Sequence, residues 1–252
     1  MWKLKISEGS EGPWLMSVNN YLGREYWEFD PDAGTFEERA QVEVFREEFR
    51  KNQFKTKQSS DLLMQMQLRK ENPGVQIAPP MKVKTLVDVT EDAVKTTLKR
   101  AVGFLSSIQT HDGHWTGDIG GLLFTMPHFV IALYITGSLP SVFSSEHQKE
   151  IKRYIYNHQN TDGGWGSHIE GRSTMFGSVL NYVTLRLLGE ELEEIAVARG
   201  QNWILDHGGT TLIPSWGKFI LAVLGAYEWS GCNPMPPEFW LLPSFSLFHA
   251  GT

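Results

Sequence analysis

A chain of 252 residues, 41% of them hydrophobic, holds enough apolar material for one large domain or two small ones. Its formal net charge of −6, with no run of Lys and Arg to override it, argues against a nucleic-acid partner. The single Cys232 excludes an internal disulfide and fits a reducing compartment, and the opening MWKLKISEGSEGPW has no apolar run after its lysines, so no secretory signal peptide is expected.

Residues 1 to about 36 are rich in Gly, Pro and Asp and read as irregular or short extended structure. Glu37 to Lys70 reads as one long helix, with Val42, Phe45 and Phe49 at helical spacing and charges on the other faces. Asn72-Pro73-Gly74 stops it, and Ala78-Pro79-Pro80 continues a Pro-rich linker, so residues 1–88 form an N-terminal arm expected to pack against something larger. From Val89 the pattern is regular. Thr90 is a candidate N-cap followed by Glu91 and Asp92, which suit the positive end of a helix. Val94, Leu98, Ala101, Leu105 and Ile108 then form one apolar face, and Gln109 to Trp115 breaks the helix. Ile119 to Leu139 carries no formal charge over about a membrane-spanning length. With Pro127, His128 and several glycines inside it, the segment reads as a buried core helix from about Leu122 to Ile135 rather than a span. Ser145 and Gln148 make a capping box for a helix running to His158. Further helices are expected from about Thr174 to Leu188, from Leu192 to Asp206, and from Pro214-Ser215 through Tyr227.

The turns between these helices repeat. Phe104 to Tyr154, Gln109 to Gln159 and Trp115 to Trp165 are each fifty residues apart, and RGQNWILDHGG around Trp203 is a weaker third copy. Each unit is a helix, a Gly-rich turn and a second helix, and neighbouring units must stack to bury their apolar faces. An open stack is a solenoid; a curved one is an α/α barrel. Within the phrase, the glycines permit a sharp turn. The Asp can accept hydrogen bonds from free amides at the start of the next helix, the Trp fills the gap between helices, and the Gln amide can stack on it. Gln109, Trp115, Gln159 and Trp165 therefore read as structural clasps, and Asp112 and Asp162 as parts of them rather than as catalytic groups. Nine Trp, fourteen Phe and seven Tyr supply either a well-filled core or an aromatic-lined cavity.

The fuller phrase is basic–small–x–x–aromatic–aliphatic–x3–Gln–x3–Gly–x–Trp, carried by Arg100-Ala101, Phe104-Leu105, Gln109 and Gly113-His114-Trp115. Lys152-Arg153-Tyr154-Ile155, Gln159 and Gly163-Gly164-Trp165 repeat it without the small residue. It resembles the QW repeat of the squalene and oxidosqualene cyclases. The stretches Trp27 to Phe54, Ser173 to Glu190, Ile213 to Phe219 and Tyr227 to Pro243 resemble plant oxidosqualene cyclases. The resemblance covers about residues 1–243 and roughly the first third of a family member. It implies an all-α fold: a partial α/α barrel (terpenoid cyclase toroid) built from QW-type repeats over 89–243, with an irregular N-terminal arm. It also implies cyclisation of a 2,3-oxidosqualene-type lipid to a sterol or triterpene skeleton, with no metal or organic cofactor. The implied location is a monotopic seat on one leaflet, at the cytosolic side of the endoplasmic reticulum membrane or on a lipid droplet.

The same resemblance defines what is missing. The family's acid lies in an Asp-Cys-Thr-Ala-Glu motif; Cys232 sits in SGCNP with no Asp before it, so no catalytic residue is assigned. After Pro243 the chain reads SFSLFHAGT where the family continues into Trp-Cys-His or Trp-Cys-Tyr, so 244–252 reads as a divergent ending. Trp216 in IPSWGKF matches a family position that faces the substrate, the alternative being an ordinary core tryptophan. Ile119 stands where many members carry an aromatic residue, and Ile220 replaces the usual Trp after GKF, so both alter the cavity. His114, His128 and His168 show no metal-ligand spacing and read as structural or surface residues. The first reading is a cyclase-family enzyme whose chain alone is inactive. The second is a non-catalytic truncated product whose uncovered helix faces promote association. A different α/α toroid, such as a protein prenyltransferase β subunit, would need a zinc site of Asp, Cys and His, which these residues do not supply convincingly.

Overall fold

Trp2-Lys3-Leu4-Lys5-Ile6 alternates apolar and charged side chains, and in the computed structural model it is strand β1 (Trp2–Ile6), with Trp2, Leu4 and Ile6 buried. Residues 1–9, 17–57, 61–85, 89–117, 119–232, 241–243 and 245 are described. Strand β2 (Glu25–Phe29) pairs antiparallel with β1, placing Phe29 opposite Trp2 and Trp27 opposite Leu4. The remaining described elements are helical: α1 (Phe36–Asn52), α2 (Leu62–Glu71), α3 (Glu91–Ser107), α4 (Leu122–Ile135), α5 (Leu139–Val142), α6 (Ser145–Asn157), α7 (Met175–Leu187), α8 (Ile195–Asp206) and α9 (Ser215–Leu224), with short 3₁₀ turns at Thr210–Leu212 and Trp229–Gly231. The chain divides into two units, one of Met1–Asn52 with Gln58–Ile119 and one of Gln53–Lys57 with Gly120–Thr252.

In the first unit, α2 covers the buried face of β1, where Leu4, Ile6, Met64 and Leu68 form a small core. Gln67 completes the strand's outer edge: its Oε1 accepts from the Leu4 N–H at 2.8 Å and its Nε2 donates to the Leu4 carbonyl at 2.9 Å. That reproduces the two bonds a further strand would make. The single helix expected over 37–70 is two helices. Residues 53–57 belong to the second unit, where the Lys57 carbonyl lies 3.0 Å from His158 Nε2. Asp61 then begins α2 from φ 43°, a left-handed conformation that no continuous right-handed helix contains.

Helix α3 starts as its sequence requires, with the Thr90 hydroxyl accepting from the Ala93 N–H at 3.2 Å. Its buried side is different from the expected one. Ala93 and Ser107 are buried, whereas Val94, Leu98, Val102 and Leu105 are each more than half exposed. The reason is the linker: a β-carbon on Gly103 would stand 2.9 Å from the Gln76 carbonyl, and Arg100 donates to the Ala78 carbonyl at 2.5 Å. The linker backbone lies on the small-residue side of α3, and the apolar stripe faces outward. Helix α3 belongs with the strand pair and α2 to the first unit, which ends at Ile119.

In the second unit, α7 is the central helix, packed against α4, α6 and α8. Ser178, Asn181 and Thr184 on it are completely buried among Val179, Leu180 and Leu185. Thr184 returns its hydroxyl to the Leu180 carbonyl at 2.8 Å. Asn181 does something a helix rarely needs. Pro127 lies inside α4 and has no N–H, so the Leu123 carbonyl one turn earlier lacks its helical donor. Asn181 Nδ2 supplies that bond across the helix interface at 2.9 Å. The uncharged segment Ile119–Leu139 therefore contains a fourteen-residue helix with Leu123, Pro127, Val130 and Ile131 buried. No helix among the described residues is long and apolar enough to cross a membrane.

Boundary differences have local causes. Ser144, not Ser145, caps α6, because its hydroxyl accepts from the His147 N–H at 3.4 Å. Helix α9 ends at Leu224 rather than Tyr227, because Gly225 turns left-handed at φ 82°. We expect Asn181→Ala to cost about 1–3 kcal/mol in urea unfolding by stranding a buried carbonyl. In a Pro127→Ala background, where the residue at 127 again has an N–H for Leu123, the same substitution is expected to cost less than half as much; equal costs would disprove the link.

Candidate functional site

The two Gln–Trp turns make the same pair of bonds. Gln109 Nε2 donates to the Gly113 carbonyl at 2.7 Å, and Gln159 Nε2 donates to the Gly163 carbonyl at 2.8 Å. The Trp115 indole donates to the Leu105 carbonyl at 2.9 Å, and the Trp165 indole donates to Ile155 at 2.8 Å, each ten residues back. Gly113 and Gly163 hold φ of 93° and 97°, conformations that L side chains rarely adopt. The ends of α3 and α6 are thus tied to the chain that follows them.

The surroundings of the turns differ. Trp165 is completely buried and presses on Gly200, where a β-carbon would clash with its ring, while Trp115 is half exposed. Gln159 also donates to the Ala196 carbonyl at 2.7 Å, and Arg199 donates to the Thr161 carbonyl at 2.7 Å, so α8 closes over the second turn. We expect Trp165→Ala to cost about 3–5 kcal/mol and Trp115→Ala under about 2 kcal/mol, read from urea unfolding of the two variants side by side.

The turn carboxylates accept bonds, though not from the amides that start the next helix. Asp112 gathers the arm: it accepts from the Ser7 hydroxyl, from the Gly23 N–H at 3.0 Å and from the Thr110 hydroxyl at 2.6 Å, with His114 Nδ1 at 2.5 Å. Burial pushes its carboxyl up, but these donors together hold it well below the usual carboxylate range. Asp162 accepts from the Gly164 N–H at 3.1 Å, the Ser173 hydroxyl at 2.7 Å and the Trp203 indole at 3.0 Å, which brings the third tryptophan onto the second turn. It too is lowered, against burial, by those donors. A carboxyl with a depressed folded-state pKa stabilises at any pH above its unfolded value, and that stabilisation fades as pH falls through the folded value. Wild-type stability is therefore expected to drop below about pH 4, and Asp112→Asn to start lower at neutral pH and to lose less on acidification, followed by thermal melts across pH.

A second arrangement stands on the second unit. Phe124 and His128, one turn apart on α4, lie 5.1 Å apart between ring centroids. Phe176, at the start of α7, stacks on Phe124 at 5.4 Å and lies 5.7 Å from His128. The Trp216 indole donates to His128 Nε2 at 3.3 Å. Phe219 lies 6.5 Å from Trp216 and meets Trp229 edge-on at 5.9 Å. Six rings form a continuous strip, with Phe124, Trp216, Phe219 and Trp229 each between two-fifths and two-thirds exposed. At Gly217 a β-carbon would stand 2.3 Å from Ile213 and 3.3 Å from Phe176, so α9 lies close to the turn before it and to the head of α7.

Of the three cavity positions expected from sequence, Trp216 is on this strip. Ile220 is turned into the core beside Val179, Leu180 and Leu221, and Ile119 is exposed at the end of the first unit. Phe124, His128, Phe176, Phe219 and Trp229 join Trp216 from outside the cavity positions that the sequence suggests. Apart from the one-turn spacing of Phe124 and His128, sequence holds no signal that brings α4, α7 and α9 together.

The strip offers apolar, π-faced contact and no proton donor of the strength acid catalysis needs. Glu8, Glu38, Glu47, Asp112, Asp162 and Glu190 are each held below the ordinary carboxylate value, toward the ionised form. Among the described residues there is no group of three or more His, Cys, Asp or Glu that could hold a metal ion. A concavity of about 290 Å³ in the first unit, lined by Trp2, Leu63, Met66, Gln67 and Lys70 among others, lacks the strip's aromatic set.

Comparison with known proteins gives these features a setting. Residues 98–251 match the family described as Squalene-hopene cyclase N-terminal domain, and the match runs through most of the stretch read as divergent, 244–252. The chain is 51% identical to alpha-onocerin synthase LCD of Lycopodium clavatum over 258 aligned residues, covering all of this chain and 34% of that protein. It is 52% identical to cycloartenol synthase of Dictyostelium discoideum, over 58% of this chain and 20% of that protein. Against human lanosterol synthase it is 45% identical over 59% of this chain and 20% of that protein. The chain thus spans about a third of the length of the first of these relatives and matches a fifth of the other two.

Proposed function

Because the chain belongs to the squalene-hopene cyclase family through its N-terminal domain, we propose that it supplies the opening part of an oxidosqualene cyclase, with one aromatic wall of the cavity where 2,3-oxidosqualene closes to a sterol or triterpene skeleton. The observation that carries this reading is the aromatic strip around Trp216. Cyclisation begins when an acid, kept neutral in a dry site, protonates the epoxide. The positive charge then migrates along the folded polyene. A wall for that charge must attract it without offering a lone pair that traps it. Aromatic faces do this, with an attraction of up to about 2 kcal/mol or more when desolvated, and they exclude the water that would quench the cation.

In this division of labour, Trp216, Phe219, Phe124 and Phe176 line the cavity, and the Gln159–Trp165 turn, whose Trp165 N–H donates to the Ser178 hydroxyl on α7 at 2.9 Å, holds the helix that carries Phe176. The proton donor comes from sequence outside these 252 residues, which contain no Asp-Cys-Thr-Ala-Glu motif. The chain alone binds the polyene and does not turn it over. Seating on one leaflet, at the endoplasmic reticulum or a lipid droplet, is the matching location for so apolar a substrate.

The outward stripe of α3 (Val94, Leu98, Val102, Leu105) favours a second element of the proposal: by itself this chain behaves as a non-catalytic fragment that associates. Expression in yeast lacking its sterol cyclase tests the first part, with extracts analysed by mass spectrometry. No new cyclic triterpene is expected, and any such product would refute the assignment of the proton donor to other sequence. A polyene bearing a tertiary ammonium group, a stable mimic of the cation, tests the wall. Its affinity is expected to fall roughly twofold to thirtyfold in Trp216→Ala, the range of one cation–π contact; unchanged affinity would remove Trp216 from the wall. Sedimentation is expected to show concentration-dependent association that Leu98→Lys weakens.

A further inference from the structure

Which nitrogen of a histidine carries the proton is set by what each nitrogen faces. At His128 both partners are specified. Nδ1 lies 2.6 Å from the Phe124 carbonyl oxygen, which can only accept. Nε2 lies 3.3 Å from the indole nitrogen of Trp216, which can only donate. The proton therefore sits on Nδ1, and Nε2 presents a lone pair to Trp216. The ring is neutral in this arrangement, since a second proton would set N–H against N–H. Helices α5, α7 and α9 pack on α4. Apart from His128 itself, α4 has no charged or titratable side chain but Tyr134, and α5 has none. On α7 the groups are Tyr182, which packs on the core, and Arg186, which donates to the Glu190 carbonyl. On α9 there is Lys218, whose ammonium lies 6.0 Å from the centre of the Tyr227 ring.

We propose that His128 is a positioning residue: its neutral Nδ1–H form holds the N–H edge of Trp216 and leaves the indole face open to a cationic stretch of the substrate. The proposal rests on the reading of the strip as a cavity wall. An aromatic ring is negative over its face and positive at its edge. An untethered, half-exposed indole is free to turn its N–H edge toward the cavity, where it repels a cation and offers a polar foothold to water. Tied to Nε2, that edge is occupied. Protonated His128 would fail twice, releasing Trp216 and adding a like charge beside the substrate cation. Phe124 and Phe176, packed against the imidazole at 5.1 and 5.7 Å, restrict its rotation.

The 252-residue chain labelled with ¹⁵N provides the test. The Nε1–H signal of Trp216 is identified by its loss in Trp216→Phe, and the indole signals of Trp115 and Trp165 report whether the fold persists. The His128 nitrogens are expected to show the proton on Nδ1. Solvent exchange of the Trp216 indole proton is expected to rise about tenfold in His128→Phe, as loss of one hydrogen bond implies. His128→Gln, which keeps an acceptor, is expected to recover most of the protection. Acidification that puts a second proton on His128 should move the wild-type Trp216 signal to its His128→Phe position and leave the His128→Gln signal in place. A proton found on Nε2 overturns the proposal, as does an unmoved Trp216 signal in His128→Phe with Trp115 and Trp165 intact. If His128→Phe disturbs those two signals, the wild-type tautomer and the His128→Gln comparison decide. The tertiary-ammonium polyene separates the two ideas: a Trp216 signal unmoved by the probe sinks the cavity reading, while the tautomer still decides the bond.

Discussion

An indole N–H given to a helix carbonyl ten residues earlier, with a glutamine amide given to the turn between them, is the interaction on which the rest depends. The last carbonyls of a helix have no partner within it. The Leu105 and Ile155 carbonyls at the ends of α3 and α6 accept only a 3.3 Å backbone bond, from Ile108 and His158, and the Trp115 and Trp165 indoles give each a second, shorter donor. The same bond fixes where the chain leaves the helix, because a rigid indole cannot reach that carbonyl from any other turn. Glycine is required at 113 and 163 for the reversal, and the amides of Gln109 and Gln159 occupy the carbonyls it exposes.

From that constraint the two units diverge according to what packs on each turn. Around Trp165 a second helix arrives: Gly200 leaves room for the ring, Ala196 accepts from Gln159, and Trp203 donates to Asp162. Around Trp115 the neighbours are the arm's Ser7 and Gly23, gathered by Asp112. One turn is therefore a buried junction between helices, and the other a half-exposed anchor for a strand pair. The turn chemistry is shared; burial decides how much each contributes to stability.

The aromatic strip is a consequence of helix packing, and its geometry depends on a compensated defect. Pro127 deprives Leu123 of a helical donor, and Asn181 restores the bond from the neighbouring helix. That buried bond sets α4 against α7, hence Phe124 and His128 against Phe176, and Gly217 then lets α9 bring Trp216 within reach of His128. The orientation of the strip thus rests on polar atoms packed among apolar ones, the Asn181 amide on the Leu123 carbonyl and the His128 ring on the Trp216 indole.

By itself, the sequence determined what depends on local chemistry: the helices and most of their ends, the Thr90 cap, the fifty-residue recurrence of the Gln–Trp turns, and the family those turns point to. These are legible because capping, turn geometry and helical periodicity act within one or two turns of chain. Tertiary structure decided the rest. The Gln76 backbone crossing at Gly103 turned the apolar stripe of α3 outward. Docking of residues 53–57 on the second unit broke one expected helix into two. Convergence of α4, α7 and α9 chose Trp216 over Ile220 for the strip and gave His128 a partner 88 residues away. Each of these rests on contacts between segments far apart in the chain, and no periodicity within either segment encodes such a contact.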